Sequence, residues 1–205
     1  KTIAALGCFG MTAITALTAQ NTCGVRAIHG IPPQMLRDQI DAVIEDIGTD
    51  AVKIGMLHAP EIVRTVAEAI DRHTLPNVVF DPVMVATSGA VLIEQASMDV
   101  LVRELFPRAA LITPNLDEAG LLIGKPLAST EDMEGAALAL RAQGAHLLLR
   151  LVHRQRAHGA ARVGNDAVGA EVHAAVLDLE HRARAAIGSA GRQRLSRSMA
   201  ISFFA

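Results

Sequence analysis

The feature that most constrains the fold of this chain is a regular alternation of short apolar strands with amphipathic helices. Strands are predicted at residues 51–54, 78–80 and 109–112, and the segments 60–72 and 94–105 between them carry apolar residues at helical spacing. Parallel neighbouring strands need such crossovers, because the chain must return to the same end of the sheet before the next strand can form. The pattern therefore predicts an α/β fold with a mainly parallel sheet, right-handed crossovers and helices on both faces.

Further elements are predicted on both sides of this central part. Before it, a strand at 11–19 ends in the polar residue Gln20, a second strand covers 25–31, and a helix runs from Pro32 to about Ile47. After it, the predicted elements are helices at 116–123 and 130–143 and a strand at 146–149.

Composition and charge narrow the class of partner. With 205 residues, of which 51% are hydrophobic, the chain is long enough for one α/β domain with a sizeable core. The formal net charge is −2 and the sequence pI about 6.5, so no basic surface for nucleic acid or for an anionic membrane is expected. Small-molecule partners are favoured, and the oligomeric state stays open.

The uncharged run of residues 2–25 is a transmembrane candidate by length alone. We reject this interpretation, because the run contains Gly7, Gly10, five threonines, Gln20 and Asn21, and it divides into short elements. Cys8 and Cys23 lack metal-ligand spacing and the density of a disulfide scaffold. Together with the lack of a recognisable signal peptide, this predicts a cytoplasmic protein.

Asn115 and Glu118 form the first candidate site. Residues 110–120 lead from an apolar strand through Thr-Pro into a helix whose N-cap is Asn115, and Glu118 lies over the same first turn. Oxygen ligands in this position, at the carboxyl end of a strand, can hold a hard cation and its bound water. The same Asn-x-x-Glu spacing also forms an ordinary capping box, so both interpretations stay open.

Asp81 is the second candidate. It directly follows the apolar residues 78–80, and Pro82 ends that strand, which places the carboxylate at the sheet edge where α/β folds bind ligands. The alternative is an aspartate that only caps the turn before a proline.

Five motifs then occur in an order and at spacings typical of one family. They are Ala19-Gln20-Asn21-Thr22, Lys53-Ile54-Gly55-Met56-Leu57, Val78-Val79-Phe80-Asp81-Pro82-Val83-Met84, Thr87-Ser88-Gly89 and the segment from Thr113 to Ala119. In combination they make residues 1–149 resemble the bacterial hydroxymethylpyrimidine/phosphomethylpyrimidine kinases of thiamine biosynthesis. The resemblance implies a truncated ribokinase-like fold, in which three αβα layers surround the mainly parallel sheet.

The resemblance also implies an activity, namely ATP-dependent phosphorylation of 4-amino-5-hydroxymethyl-2-methylpyrimidine and its monophosphate. By position, Gln20 matches the residue that reads the edge of the substrate ring, and Met56 and Val83 match apolar residues that sandwich it. Asn115 and Glu118 match nucleotide-binding positions, and Asp81 and Glu118 match residues that help to hold Mg²⁺ through water. Without the resemblance, Met56 and Val83 would be assigned to the core. A pyridoxal-type kinase of the same fold is the second enzymatic interpretation.

Two parts of the family pattern do not occur in this sequence. The Gly-rich segment Asp-Pro-Ser-Gly-Gly-Ala-Gly would precede Lys1, and the Gly-Thr-Gly-Cys helix start that forms the anion hole and presents the base would follow Leu149. We therefore assign no catalytic residue and expect the chain as given to be inactive, a non-catalytic fragment or a ligand-binding remnant.

The sequence changes character after Leu149. Residues 150–205 contain many arginine, alanine and histidine residues and no lysine, and the strand and helix periodicities fade. We interpret residues 1–149 as a partial kinase domain and 150–205 as an atypical region, for which translation in another reading frame is one hypothesis and a divergent genuine terminus the other. We expect residues 150–205 to add little regular sheet.

Overall fold

The computed structural model describes residues 3, 8–21, 23–84, 92–93, 95–127, 130–145 and 199–204. Seven strands and five helices of at least one full turn lie in these ranges. The strands are β1 (Phe9–Ile14), β2 (Ala16–Asn21), β3 (Gly24–Gly30), β4 (Ala51–Ile54), β5 (Val78–Phe80), β6 (Leu111–Ile112) and β7 (Met199–Phe204). The helices are α1 (Pro33–Asp46), α2 (Pro60–His73), α3 (Gln95–Leu105), α4 (Leu116–Ile123) and α5 (Thr130–Ala142).

The main sheet has five parallel strands in the order β1-β7-β4-β5-β6. β4, β5 and β6 are neighbours in the sheet and also follow one another in the chain, joined by α2 and α3. This is the arrangement that the alternating pattern predicts. β2 and β3 form a separate antiparallel ribbon of two strands. The predicted α/β class with a mainly parallel sheet is confirmed.

Local sequence signals mark ends of α1, α2 and α4. Pro33 and Pro60 occupy the first turns of α1 and α2, where the missing N–H of proline costs no hydrogen bond. α2 ends at Thr74 in the left-handed conformation, with φ of 50°. Gly124 closes α4 at a φ of 68°, which glycine adopts without strain. In the part of the chain that the structure describes, no helix is both long and apolar enough to cross a bilayer.

The main apolar cluster lies against one face of the sheet, and Val79 and Leu111, which alternate to the other face, are buried as well. Side chains alternate along a strand, and residues in register share a face, so Ile54 and its register partner Phe80 point to the same face. Phe80 is fully buried and meets the Phe106 ring at a centroid distance of 6.4 Å and an interplanar angle of 59°. Lys53 lies on the opposite face of β4 by the same alternation, which becomes important at the site below.

The prediction of one continuous strand over residues 11–19 is wrong. The chain leaves the main sheet at Ile14 and Thr15 and continues as β2 in the ribbon. Gln39 of α1 binds both backbone groups of Ile14, at 3.0 and 3.1 Å, and the hydroxyl of the fully buried Thr15 donates to the Met56 carbonyl at 2.8 Å. These partners lie far away in the sequence, so strand periodicity alone could not locate the break.

The expectation that residues 150–205 add little regular sheet is also wrong. β7 (Met199–Phe204) pairs with β1 on one side and with β4 on the other, so it occupies a central position. Its Met-Ala-Ile-Ser-Phe-Phe sequence is apolar enough for a buried strand, but only its two neighbours reveal its place. The strand predicted at 146–149 lies outside the described residues, as do residues 150–198.

Candidate active site

Five of the six predicted site residues, all except Gln20, follow three neighbouring parallel strands at one edge of the sheet. The Asp81 N–H donates to the Ile54 carbonyl at 2.8 Å, and the Thr113 N–H donates to the Phe80 carbonyl at 3.0 Å. Asp81 and Thr113 therefore continue the β4–β5 and β5–β6 ladders by one residue. The other site residues of these strands follow within a few positions, namely Met56, Val83, Asn115 and Glu118. The carboxyl edge of a parallel sheet is where α/β folds bind ligands.

Lys53 and Asp81 form an ion pair at this edge. The Lys53 Nζ lies 2.8 Å from the Asp81 Oδ2, and the two side chains are 32% and 17% exposed. Lys53 is in register with Val79, two residues before Asp81, so strand alternation brings both side chains to the same face. Lys53 belongs to one of the family motifs, but nothing in the sequence alone marks it as a site residue.

Asn115 and Glu118 form a complete capping box at the start of α4. The Asn115 Oδ1 accepts the Glu118 N–H at 2.9 Å, and the Glu118 Oε2 accepts the Asn115 N–H at 2.8 Å. Glu118 is 5% exposed, so its carboxylate is held firmly at the positive end of the helix. The capping box that the sequence allowed is thus formed. It fixes the positions of the two side chains that a metal site would use.

Thr113 carries a signal that sequence reasoning missed. Its Oγ1 is buried and has no hydrogen-bond partner, the one such side-chain atom among the residues that the structure describes. A buried hydroxyl without a partner is costly, and native proteins place such groups where a ligand or water satisfies them. In the sequence Thr113 marks only the end of a strand, because an unsatisfied atom is visible only in three dimensions.

Met56 and Val83 lie on the loops that follow β4 and β5. Met56 is buried, and its carbonyl accepts the Thr15 hydroxyl, while the His58 carbonyl of the same loop accepts the hydroxyl of the buried Ser97 at 3.4 Å. Val83 is half-buried, and its N–H donates to the Asp81 carbonyl at 2.8 Å across Pro82. Proline favours this tight turn, so Asp81 and Val83 are fixed relative to each other.

Gln20 lies farther from these loops along the chain. It is exposed near the tip of the ribbon, beside a register shift between Ala19 and Gln20. The Asn21 Oδ1 accepts the N–H groups of Cys23 and Gly24 at 2.9 and 3.2 Å and so shapes the tip. The ribbon starts at the carboxyl end of β1, next to Thr15, so it rises from the same edge of the sheet as Asp81. Residues 87–89 lie outside the described part of the chain.

The donor set at this edge consists of oxygen atoms. Carboxylates come from Asp81 and Glu118, an amide from Asn115 and a hydroxyl from Thr113. Such oxygen ligands suit Mg²⁺ and the water molecules that it keeps. No group of three or more His, Cys, Asp or Glu side chains with metal-binding geometry occurs among the described residues.

Comparison with known proteins decides the family. The sequence model of the phosphomethylpyrimidine kinase family matches residues 1–182. The chain belongs to this family. The match extends past Leu149, where we expected the resemblance to end.

Two curated family members show the extent of the similarity. The hydroxymethylpyrimidine/phosphomethylpyrimidine kinase of Salmonella typhimurium is 45% identical over 150 residues, which are 73% of this chain and 56% of the relative. The enzyme of the same name from Bacillus subtilis is 44% identical over 155 residues, 75% of this chain and 57% of the relative. The chain therefore spans about half the length of these curated relatives.

Solved structures give the same picture. A phosphomethylpyrimidine kinase from Clostridium difficile 630 has a TM-score of 0.66 at 36% identity and covers 72% of this chain and 65% of that one. A pyridoxal kinase from Staphylococcus aureus in complex with AMP-PCP and pyridoxal has a TM-score of 0.63 at 32% identity, covering 72% and 53%. These neighbours are ribokinase-like vitamin kinases, so the predicted fold family is confirmed.

Proposed function

We propose that this chain carries the nucleotide and substrate edge of an ATP-dependent kinase for 4-amino-5-hydroxymethyl-2-methylpyrimidine and its monophosphate, in thiamine biosynthesis. The observation that carries the proposal is the family match over residues 1–182, combined with oxygen ligands at the ends of the adjacent strands β5 and β6. ATP and Mg²⁺ are the cofactors that we propose, and the pyrimidine is the small-molecule partner.

The capping box determines which atoms of Asn115 and Glu118 face a ligand. The cap uses the side-chain carbonyl oxygen of Asn115, so its NH₂ group is the part that would donate to phosphate oxygens. We propose that Asp81 and Glu118 hold Mg²⁺ through water and that the buried Thr113 hydroxyl completes the polar lining. Bound Mg²⁺ would neutralise charge on the phosphates.

The proposed pyrimidine site combines Gln20, Met56 and Val83. The amide of Gln20 offers both a donor and an acceptor to an aminopyrimidine edge, and Met56 and Val83 offer apolar surface to the ring. The bond between Thr15 and Met56 supports this arrangement, because it joins the root of the ribbon to the Met56 loop.

Binding of the pyrimidine tests this site. Gln20→Leu is expected to weaken pyrimidine affinity in calorimetry by about 1–3 kcal/mol, because a ligand group loses its partner. Gln34→Leu is the matched control, since Gln34 is exposed on α1, where it bonds Asp38. Equal affinities for wild type and Gln20→Leu would remove Gln20 from the site.

Turnover tests the activity itself. The 205-residue sequence contains no Gly-Thr-Gly-Cys string, and one missing oxyanion donor typically slows transfer by about a hundredfold or more. We expect no phosphorylation of hydroxymethylpyrimidine by this chain above a no-enzyme control, and activity after a family-like segment that contains this string is grafted onto it. Turnover by the unmodified chain that Glu118→Ala abolishes would contradict this. Pyridoxal, offered to the grafted protein in parallel, separates the two kinase interpretations by relative rate.

A further inference from the structure

Lys53 places a positive charge directly on one of the two carboxylates proposed to hold the metal. Its Nζ is 2.8 Å from the Asp81 Oδ2, and both side chains are less than one-third exposed. At this distance an ammonium group and a cation compete for the charge of the same carboxylate, because it attracts both of them and they repel each other.

The second carboxylate is also engaged. The Glu118 Oε2 accepts the Asn115 N–H, and the buried carboxylate is stabilised by the positive end of α4. The described residues contain no group of three or more His, Cys, Asp or Glu side chains that could hold a metal ion. Mg²⁺ in such sites depends on substrate phosphates for the rest of its coordination.

We propose that Lys53 makes cation binding depend on a bound polyphosphate. Lys53 acts as a positioning residue, which neutralises Asp81 in the free protein and so disfavours a bare divalent cation at this edge. The negative charge of a nucleoside triphosphate offsets the charge of Lys53, and the cation then binds together with it. This inference rests on the proposed function, because it takes the nucleotide edge as its setting.

The experiment measures Mn²⁺ binding to the full 205-residue chain by electron paramagnetic resonance, with and without a non-hydrolysable ATP analogue. In wild type we expect weak binding of Mn²⁺ alone and tighter binding with the analogue, by about tenfold or more. Lys53→Met should bind Mn²⁺ alone about tenfold more tightly than wild type, because Asp81 loses its competing partner. Lys53→Arg keeps the charge and should behave like wild type.

Two controls separate this charge from general effects. Lys125→Met removes an equivalent charge at the other end of α4, where Lys125 pairs with Asp132 at 3.7 Å, and should leave Mn²⁺ binding unchanged. Lys53→Met combined with Asp81→Asn should lose the gain, because the released carboxylate is then absent. Thermal unfolding of each variant reports whether the fold is retained.

The outcomes are distinct for the two proposals. Equal binding of Mn²⁺ alone by wild type, Lys53→Met and Lys53→Arg would overturn the inference about Lys53, whatever the nucleotide does. Failure of the analogue to bind to any of the proteins, while Lys53→Met still gains affinity for Mn²⁺ alone, would overturn the proposed nucleotide site and leave the competition between Lys53 and the cation intact.

Discussion

The two halves of the parallel sheet are built in different ways. On one side, β4, β5 and β6 are neighbours in space and are joined in order by α2 and α3. On the other side, β1 and β4 are separated by β7, which comes from residues 199–204. Closing a long stretch of chain to insert one strand costs entropy before any pairing is gained. The first half is therefore specified by local sequence, and the second depends on a distant segment.

The site follows the same division. Met56, Asp81, Val83, Asn115 and Glu118 all come from the half that local crossovers build. Gln20 alone belongs to the ribbon that leaves the other half. The Thr15–Met56 hydrogen bond joins the two at 2.8 Å. Four predictions probe this division, in order of decreasing effect.

Proline in the centre of β7 should have the largest effect. Ile201 pairs with Met11 on one side and Val52 on the other, so Ile201→Pro should lower the free energy of unfolding by about 3 kcal/mol or more, since proline removes a donor from a central strand. Val79→Pro in β5 is the matched variant, with Lys53 and Leu111 as its partners. Urea unfolding measures both. A much smaller effect of Ile201→Pro than of Val79→Pro would show that β7 contributes less to the stability of the sheet than β5 does.

Loss of the Thr15 hydroxyl should have the next largest effect. Thr15→Val leaves the Met56 carbonyl without its partner in a buried position, which should cost about 1–3 kcal/mol of unfolding free energy. Thr15→Ser retains the hydroxyl and should cost less. Ser97→Ala breaks a longer bond of 3.4 Å to the same loop and should also cost less. Equal stability of wild type and Thr15→Val would mean that the two halves are not joined through this bond.

Thr113→Val should act in the opposite direction. Removing a buried hydroxyl that has no partner should raise the free energy of unfolding of the ligand-free chain by about 1 kcal/mol. If the hydroxyl serves the proposed nucleotide edge, the same variant should weaken binding of an ATP analogue, and Thr113→Ser should not. Stabilisation without any loss of nucleotide affinity would leave Thr113 outside the site.

The smallest effect concerns an ion pair on the helical side of the first half. Arg108 donates two hydrogen bonds from Nε and one from Nη2 to Asp71, at 2.7 to 3.0 Å. These bonds lower the pKa of Asp71, and they outweigh partial burial, which acts in the opposite direction.

A lowered pKa in the folded state stabilises the fold above the ordinary pKa of aspartate, and this stabilisation is lost as the pH falls through the lowered value. Asp71 is 56% exposed, so solvent screening limits the effect. Asp71→Asn should cost about 0.5 kcal/mol at pH 7, and the difference from wild type should shrink below about pH 4. Urea unfolding over a pH series measures this. A difference that does not change with pH would assign the effect to packing.

The sequence by itself determined the local elements and much of the family site. The bounds predicted for β4, β5 and α4 are those observed, because an apolar run, a terminal proline or an Asn-x-x-Glu cap acts on residues close in the chain. The fold class and the family followed from the same short signals in order. The roles of Gln20, Asp81 and Glu118 stay predictions.

Only the tertiary structure decided how distant segments meet. The break at Thr15 depends on Gln39 and Met56, and the place of β7 depends on β1 and β4. The Lys53–Asp81 ion pair and the unpartnered hydroxyl of Thr113 likewise exist only between neighbouring strands. Pairing and burial are properties of two or more segments brought together, so no periodicity or spacing within one segment encodes them.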